Sequence, residues 1–291
     1  MSLLSGLEAL GLGNLESAKL YEEGKDEAAL KKEVVVEEEP EKSETEKEAE
    51  FLFGKTYTCP ICDSTFKTKT VRAGKAKMLG SDPDLRPRYE GIDVLKYDTV
   101  VCPCCGYSAL SRYYKFMTSV QAKFIKEGIC MNYRPHSYDG DIYTYDEALE
   151  RYKLVLANAV VKRAKPSEKA YICLKTGWLL RGMLENLEMD ISYVKKKLTY
   201  TREEEEFLRS AYDGFLTARS TEPFPMCGMD EATIDYLLAA LAIRFNDYEV
   251  AWRLISELIS SKTVNSRTKE KTRLLKEELE KEMKLNKQQN Q

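Results

Sequence analysis

The sequence holds a single histidine, His136, among its 291 residues. That scarcity removes any histidine-rich metal site and leaves a Ser/His/Asp or Cys/His arrangement only if His136 itself serves it. Also missing is any apolar run near the roughly 20 residues that cross a bilayer. The longest, Leu237-Leu238-Ala239-Ala240-Leu241-Ala242-Ile243, lies inside a longer amphipathic pattern and reads as a core helix. The leucines at the N-terminus have no basic stretch before them and meet an acid at Glu8, which argues against a secretory signal and for a reducing cytoplasm. There is no Gly-rich phosphate loop, no HExxH and no nucleophile motif. His136 sits in a loop with Pro135 and Gly140, without a nearby nucleophile and orienting group, so it reads as a solvated loop residue.

The net charge of −3 conceals two opposite parts. Residues 1–50 carry a net of about −9 and residues 51–291 about +6. The acidic part, densest at Glu37-Glu38-Glu39-Pro40-Glu41 and almost free of aromatics after Tyr21, is expected to be disordered or transiently helical. Ahead of it, Leu3, Leu4, Leu7, Leu10, Leu12 and Leu15 are spaced for one short amphipathic helix, weakened by Gly6, Gly11 and Gly13. That helix reads either as a docking peptide or as a frayed terminus.

Cysteine is what the chain does have, eight residues of it. In a reducing compartment these are metal ligands and buried thiols rather than a disulfide framework. Cys59-Pro60-Ile61-Cys62 and Cys102-Pro103-Cys104-Cys105-Gly106 are two CxxC pairs, each turning tightly enough to aim two thiolates at one ion. Together Cys59, Cys62, Cys102 and Cys105 specify a tetrahedral, four-sulfur structural Zn2+ site. Gly106 supplies a backbone conformation closed to most residues, and Asp63 takes the same place in the first knuckle. Cys104 has the wrong spacing to share the ion and becomes a spare thiol. A redox reading of the pairs fits less well. Redox CxxC motifs open a helix after a strand, whereas Lys55–Thr58 and Tyr97–Val101 look like ribbon strands leading into turns.

The 39 residues between Cys62 and Cys102 exceed the spacing of a compact ribbon, so something is inserted. Phe66 to Met78 spaces Lys67, Lys69, Arg72, Lys75 and Lys77 among smaller or apolar residues, the pattern of a strand with a basic face. With Phe66 and Tyr57 nearby, that face could take phosphate or single-stranded nucleic acid, or be an ordinary solvated surface. Ser81-Asp82-Pro83-Asp84 breaks the strand, and Arg86 to Gly91 reads as a turn-rich loop.

Beyond the ribbon the pattern is helical. Thr118 to Gln121 has capping-box form, with Gly128 marking the stop. A second box, Thr144-Tyr145-Asp146-Glu147, precedes an apolar face of Ala148, Leu149, Tyr152, Val155, Leu156, Ala159 and Val160. Further helices are predicted from about Ser167, from a third box at Thr201-Arg202-Glu203-Glu204, after Asp230, after Asn246-Asp247, and over about Ser266 to Lys284. Trp178, Trp252, Tyr152 and Tyr171 read as core. Tyr145-Asp146-Glu147-Ala148 and Tyr248-Glu249-Val250-Ala251 match at an offset near three periods of the 34-residue tetratricopeptide repeat. A plain helical bundle is the alternative.

The expected architecture is therefore mainly α with a small β zinc ribbon: an acidic tail over 1–50, the ribbon with its long insertion over 51–115, a connector over 116–141, and tetratricopeptide-like hairpins with a capping helix over 142–291. The order Cys59-Pro-x-Cys62, basic strand, Tyr89-Glu90-Gly91, Tyr97-Asp98-x-x-Val101-Cys102-Pro-x-Cys105-Gly106-Tyr107, then Leu174-x-x-x-Trp178-Leu179, resembles the bacterial family known as domain of unknown function 2225, over about residues 51–260. The resemblance implies a bacterial, cytoplasmic zinc-ribbon protein with a repeat domain and brings no activity with it. Two function classes follow: a non-catalytic adaptor that holds a protein or peptide on its helices, and a nucleic-acid-binding ribbon that uses residues 67–77. An enzyme has least support, because a closed four-cysteine site offers no open coordination position.

Overall fold

The computed structural model describes residues 44–136, 138 and 140–289. The leucine-rich segment and most of the acidic stretch lie outside the described residues. Within the described residues its last part is helical: Glu44–Ala49 forms helix α1. The reason is a specific tether, since Glu48 accepts a 2.6 Å hydrogen bond from Tyr97 and stands 2.7 Å from the Lys96 ammonium.

Three two-stranded antiparallel sheets follow. Strands β1 (Leu52–Thr58) and β2 (Thr65–Val71) pair from Leu52 opposite Val71 to Thr58 opposite Thr65, with the first cysteine pair in the turn between them. Strands β3 (Met78–Ser81) and β4 (Pro87–Tyr89) form a small hairpin where a turn-rich loop was expected. A single 3₁₀ turn, Val94–Tyr97, capped by the Asp93 side chain, leads into β5 (Thr99–Val101), which pairs with β6 (Ser108–Leu110) around the second cysteine pair.

The basic strand predicted over 67–77 is shorter than its sequence pattern. It ends at Val71, and Arg72 to Lys75 turn the chain toward the β3–β4 hairpin. The hairpin register supplies the reason: Leu52 pairs with Val71 at the far end of β1, and beyond it the ladder has no partner strand.

The remainder is helical: α2 (Ser119–Ile125), a π-helical turn over Lys126–Cys130, α3 (Tyr145–Val161), α4 (Pro166–Glu185), α5 (Tyr193–Thr221), α6 (Glu231–Arg244), α7 (Tyr248–Ser260) and α8 (Ser266–Gln289). The molecule is thus mainly helical with small antiparallel sheets. Both predicted boxes at Thr118 and Thr144 form with both reciprocal hydrogen bonds, and Asp230 and Asp247 cap α6 and α7. Thr201 caps nothing. It lies inside α5, which starts eight residues earlier because Tyr193 to Tyr200 carries no breaker once the turn before it has closed. Gly128 sits within the π turn rather than at its end, where Val161 leaves no room for a larger side chain.

The core runs through the middle of the helical layer. Leu174, Leu179 and Leu180 of α4, Leu208 and Phe215 of α5, and Leu237, Leu238 and Leu241 of α6 are fully buried. Trp178, Tyr152 and Tyr171 pack in or against this core as expected, but Trp252 is 45% exposed on α7, with the Lys276 ammonium over its ring. Helix α4 lies between α3 and α5, while α6, α7 and α8 pack together. Among the described residues no helix is long and apolar enough to cross a membrane.

Candidate metal centre

Each cysteine pair sits in the same kind of turn, built by its own backbone. In the first, Cys59 N–H donates to Ser64 O (2.9 Å) and Asp63 N–H to Cys59 O (3.0 Å); in the second, Cys102 N–H donates to Tyr107 O (2.8 Å) and Gly106 N–H to Cys102 O (3.0 Å). Both turns need one residue at positive φ, 57° at Asp63 and 73° at Gly106. Gly106 has a second reason to be glycine, because the Tyr133 ring lies where a Cβ would go. Sequence and structure agree closely here, as a CxxC knuckle is specified within six residues.

The four sulfurs lie within 4.8 Å of one another. The two cross-turn separations, Cys59 to Cys105 and Cys62 to Cys102, are both 3.6 Å. A tetrahedron with zinc–thiolate bonds of 2.3 Å has edges of about 3.8 Å, so the donor set has the size the ion requires. Cys59 and Cys102 are fully buried, Cys105 is nearly so and Cys62 is at the rim. Among the described residues no histidine or carboxylate joins the group, and Cys104 is exposed. Cys130 is half-buried beneath the cluster, while Cys173 lies in the helical core, where burial pushes its thiol up to about 11.

Protonated thiols do not rest comfortably at this spacing. Hydrogen bonds from Cys105 and Cys59 hold Cys102 far below the ordinary thiol range, and Cys105 is driven far above it chiefly by its bond to Cys102. The cluster shares protons that a dication would displace. Two further donors already face the sulfurs. Ile61 N–H lies 3.4 Å from Cys59 Sγ, and the Ser64 hydroxyl is 3.1 Å from Cys62 Sγ and 3.3 Å from Cys102 Sγ.

No local pattern marks the residues that hold the two knuckles in place. Asn158 of α3 donates to Gly106 O (3.2 Å) and to Ser108 Oγ (2.8 Å), and so fixes the second knuckle to the helical layer. Arg151, also on α3 and buried, donates to Thr99 O (2.7 Å) and lies 4.2 Å from the centre of the Tyr143 ring, reaching Thr68 of β2 as well. Both residues face the sheets from positions one turn or more apart on α3, a placement that only the tertiary fold creates. Asn158→Ala is expected to destabilise the protein by about 1–3 kcal/mol through the buried Gly106 carbonyl left without its donor. It should also speed metal loss to a chelator; urea titration and a chelator-competition assay read the two effects.

The five predicted basic contacts do not form one stripe. Lys67 is exposed opposite Thr56, and Lys75 is exposed in the turn. Lys69 folds inward, donating to Tyr138 O (3.1 Å) with its ammonium 4.3 Å from the Tyr143 ring centre. Arg72 lies over Phe53, and Lys77 stands 3.2 Å from Glu90. His136 is an exposed loop residue against Tyr138, as its sequence context suggests.

A second polar centre, unforeseen from the sequence, joins the inserted hairpin to the helices. Arg86 and Arg88 together hold the Glu185 carboxylate at 2.7 to 3.0 Å, while Arg181 reaches Asp84, Asp82 and Glu204. The signal available was the alternation Asp82-Pro83-Asp84-Leu85-Arg86-Pro87-Arg88, but its partners lie about a hundred residues away. Every charge in it has a partner within the chain, so it reads as a clamp.

A family model described as "Uncharacterized protein conserved in bacteria (DUF2225)" matches residues 52–279. No curated protein and no solved structure matches the chain.

Proposed function

We propose that this chain, which belongs to the DUF2225 family of uncharacterized proteins conserved in bacteria, is a non-catalytic zinc protein that works as an adaptor, its ribbon stabilised by one Zn2+ and its helices presenting the surface for a protein or peptide partner. The observation that carries this reading is the closure of the cysteine cluster. Four thiolates satisfy the ion completely, leaving no position for water or substrate, and the sulfurs are largely buried.

In this reading the ribbon over 51–115 and the connector over 116–141 form a platform for tetratricopeptide-like hairpins over 142–291. Two features support the repeat assignment: the matching tetrapeptides open α3 and α7, and α6 is joined to α7 by only the three residues Phe245, Asn246 and Asp247. The nucleic-acid alternative has less behind it, since Lys69 and Lys77 are engaged within the chain.

Cobalt substitution tests the closed site. A cobalt-loaded protein is expected to show a tetrahedral thiolate spectrum that added cyanide or imidazole does not shift; a shifted spectrum means an open coordination position and removes the non-catalytic assignment. A pull-down comparing the full chain with its Cys102→Ser variant addresses the adaptor role. A partner kept by both is held by the helices, whereas one lost with the zinc is held by the ribbon.

A further inference from the structure

The turn between α4 and α5 and the first turns of α5 carry an apolar surface that no part of the described chain covers. Met189, Ile191, Val194 and Leu198 are 86%, 108%, 76% and 73% exposed, four large apolar side chains within ten residues. Elsewhere, most of the exposed apolar residues are scattered, as is normal for a protein surface.

Their exposure follows from helix register. A Cβ on Gly177 would lie 2.6 Å from Leu208, and one on Gly214 would lie 2.8 Å from Ala170, which fixes α4 and α5 antiparallel. That register sets Glu185, the last residue of α4, level with about residue 200 of α5. The first seven residues of α5 therefore overshoot their partner helix by about 10 Å at 1.5 Å per residue. Consistent with this, the buried residues of α5 begin only at Glu204.

The protruding tip is locally built rather than loose. Asp190 accepts from Ser192 N–H (2.8 Å) and Ser192 Oγ (2.7 Å), and its other oxygen lies 3.1 Å from the Lys196 ammonium. These contacts close the turn and hold Met189 and Ile191 outward. Lys195 and Lys197 follow on the same projection, both exposed, Lys197 with its ammonium 5.5 Å from the Tyr193 ring centre. Tyr193 and Tyr200, half-buried, flank the tip.

We infer that this tip is a peripheral membrane contact, which inserts Met189, Ile191, Val194 and Leu198 into the headgroup–acyl boundary of an anionic lipid surface while Lys195 and Lys197 meet the lipid phosphates. Three features favour lipid over other occupants. The surface is convex, with two of its four apolar residues in a turn, a shape that penetrates an interface but does not present the regular stripe a groove-binding helix needs. With Lys196 paired to Asp190, Lys195 and Lys197 outnumber the exposed Glu188 beside the apolar positions, a balance that matches a negative surface. Tyr200, where the projection leaves the helical layer, suits the headgroup level.

The test is co-sedimentation of the full chain with vesicles of phosphatidylcholine alone and of phosphatidylcholine with phosphatidylglycerol, at low and at physiological salt. The chain is expected to sediment with the anionic vesicles and to release as salt rises. The bound fraction should fall at least about tenfold for Ile191→Glu/Val194→Glu, because each change replaces an inserted apolar group with a charge. Phe116→Glu, at another exposed apolar site, should bind as the parent does. All the substituted side chains are exposed, so circular dichroism of the variants should match the parent. No sedimentation with anionic vesicles, or binding that survives Ile191→Glu/Val194→Glu, overturns the proposal. So does a dimer in light scattering that the same double substitution dissociates, since the face then belongs to a second copy.

Discussion

Cys102→Ser is expected to release the metal and melt the two cysteine-bearing hairpins while leaving most of the helical signal in place. Serine keeps the size of the side chain but supplies no thiolate, and three remaining sulfurs cannot close the tetrahedron. Structural zinc sites hold their ion with roughly 10–16 kcal/mol, and that binding energy is folding energy for the elements that carry the ligands. Apart from the ties of Arg151 and Asn158 and the Leu110 side chain in the helical core, the hairpins have little else: β1–β2 and β5–β6 are two-stranded, and isolated two-stranded sheets are marginal in water. The cysteine cluster packs with Tyr57, Ile61, Val100, Tyr107 and Tyr114 in a small core separate from the large helical one. Loss should therefore be regional. Metal content by emission spectrometry, far-ultraviolet circular dichroism and amide exchange over residues 52–71 and 99–110 give the three readouts. Retained metal with unchanged exchange would refute the site.

Arg181→Met should cost about 3–5 kcal/mol, as expected when one partner of a buried ion network is removed and its acids remain. Arg181 Nη2 lies 2.7 Å from Asp84, its Nη1 3.2 Å from Asp82 and its Nε 3.0 Å from Glu204, so one guanidinium ties the β3–β4 hairpin to α5. Without it, Asp84 keeps only the Trp178 indole N–H, 3.1 Å away, and Glu204 keeps Arg244. Arg181→Lys retains the charge but not the fork, and is expected to lose less. The pH dependence has a definite sign. Burial opposes ionisation of Asp82 and Glu185, yet hydrogen bonds from Arg88 and Arg181 to the former, and from Arg86 and Arg88 to the latter, hold both below the usual carboxylate range. Depressed carboxylates stabilise the fold above their unfolded values and lose that contribution as pH falls through the folded ones, so stability should drop below about pH 4. Urea titrations of parent and Arg181→Met across that range should converge at low pH; parallel curves would show that the network does not carry the effect.

What the sequence makes legible divides by distance along the chain. The knuckles at Cys59 and Cys102, the capping boxes at Thr118 and Thr144 and the caps at Asp230 and Asp247 are decided by residues within one turn of each other, and all were readable. The box pattern at Thr201 was equally local but was outvoted, because a continuous α5 already satisfies those backbone groups. The basic strand failed for the same kind of reason: its charges alternate suitably to Lys77, but β1 runs out of partners at Leu52, opposite Val71. Trp252 has the apolar character of a core residue, and only the placement of α8 leaves it half in solvent beneath Lys276. Asn158, Arg151 and the Asp82–Arg88 clamp were invisible because each acts on a group 50 to 100 residues away. Family membership was readable from the spacing of the ribbon motifs, and the matched span of 52–279 extends it over nearly the whole described region.

One metal ion held by the four cysteines is the central claim, and the most direct measurement of it is the zinc content of the purified full-length chain. One zinc per chain is expected, released on exhaustive chelation together with loss of amide protection at Cys59–Ser64 and Cys102–Tyr107. A chain that contains no metal, and whose knuckles are equally protected with and without chelator, would contradict it.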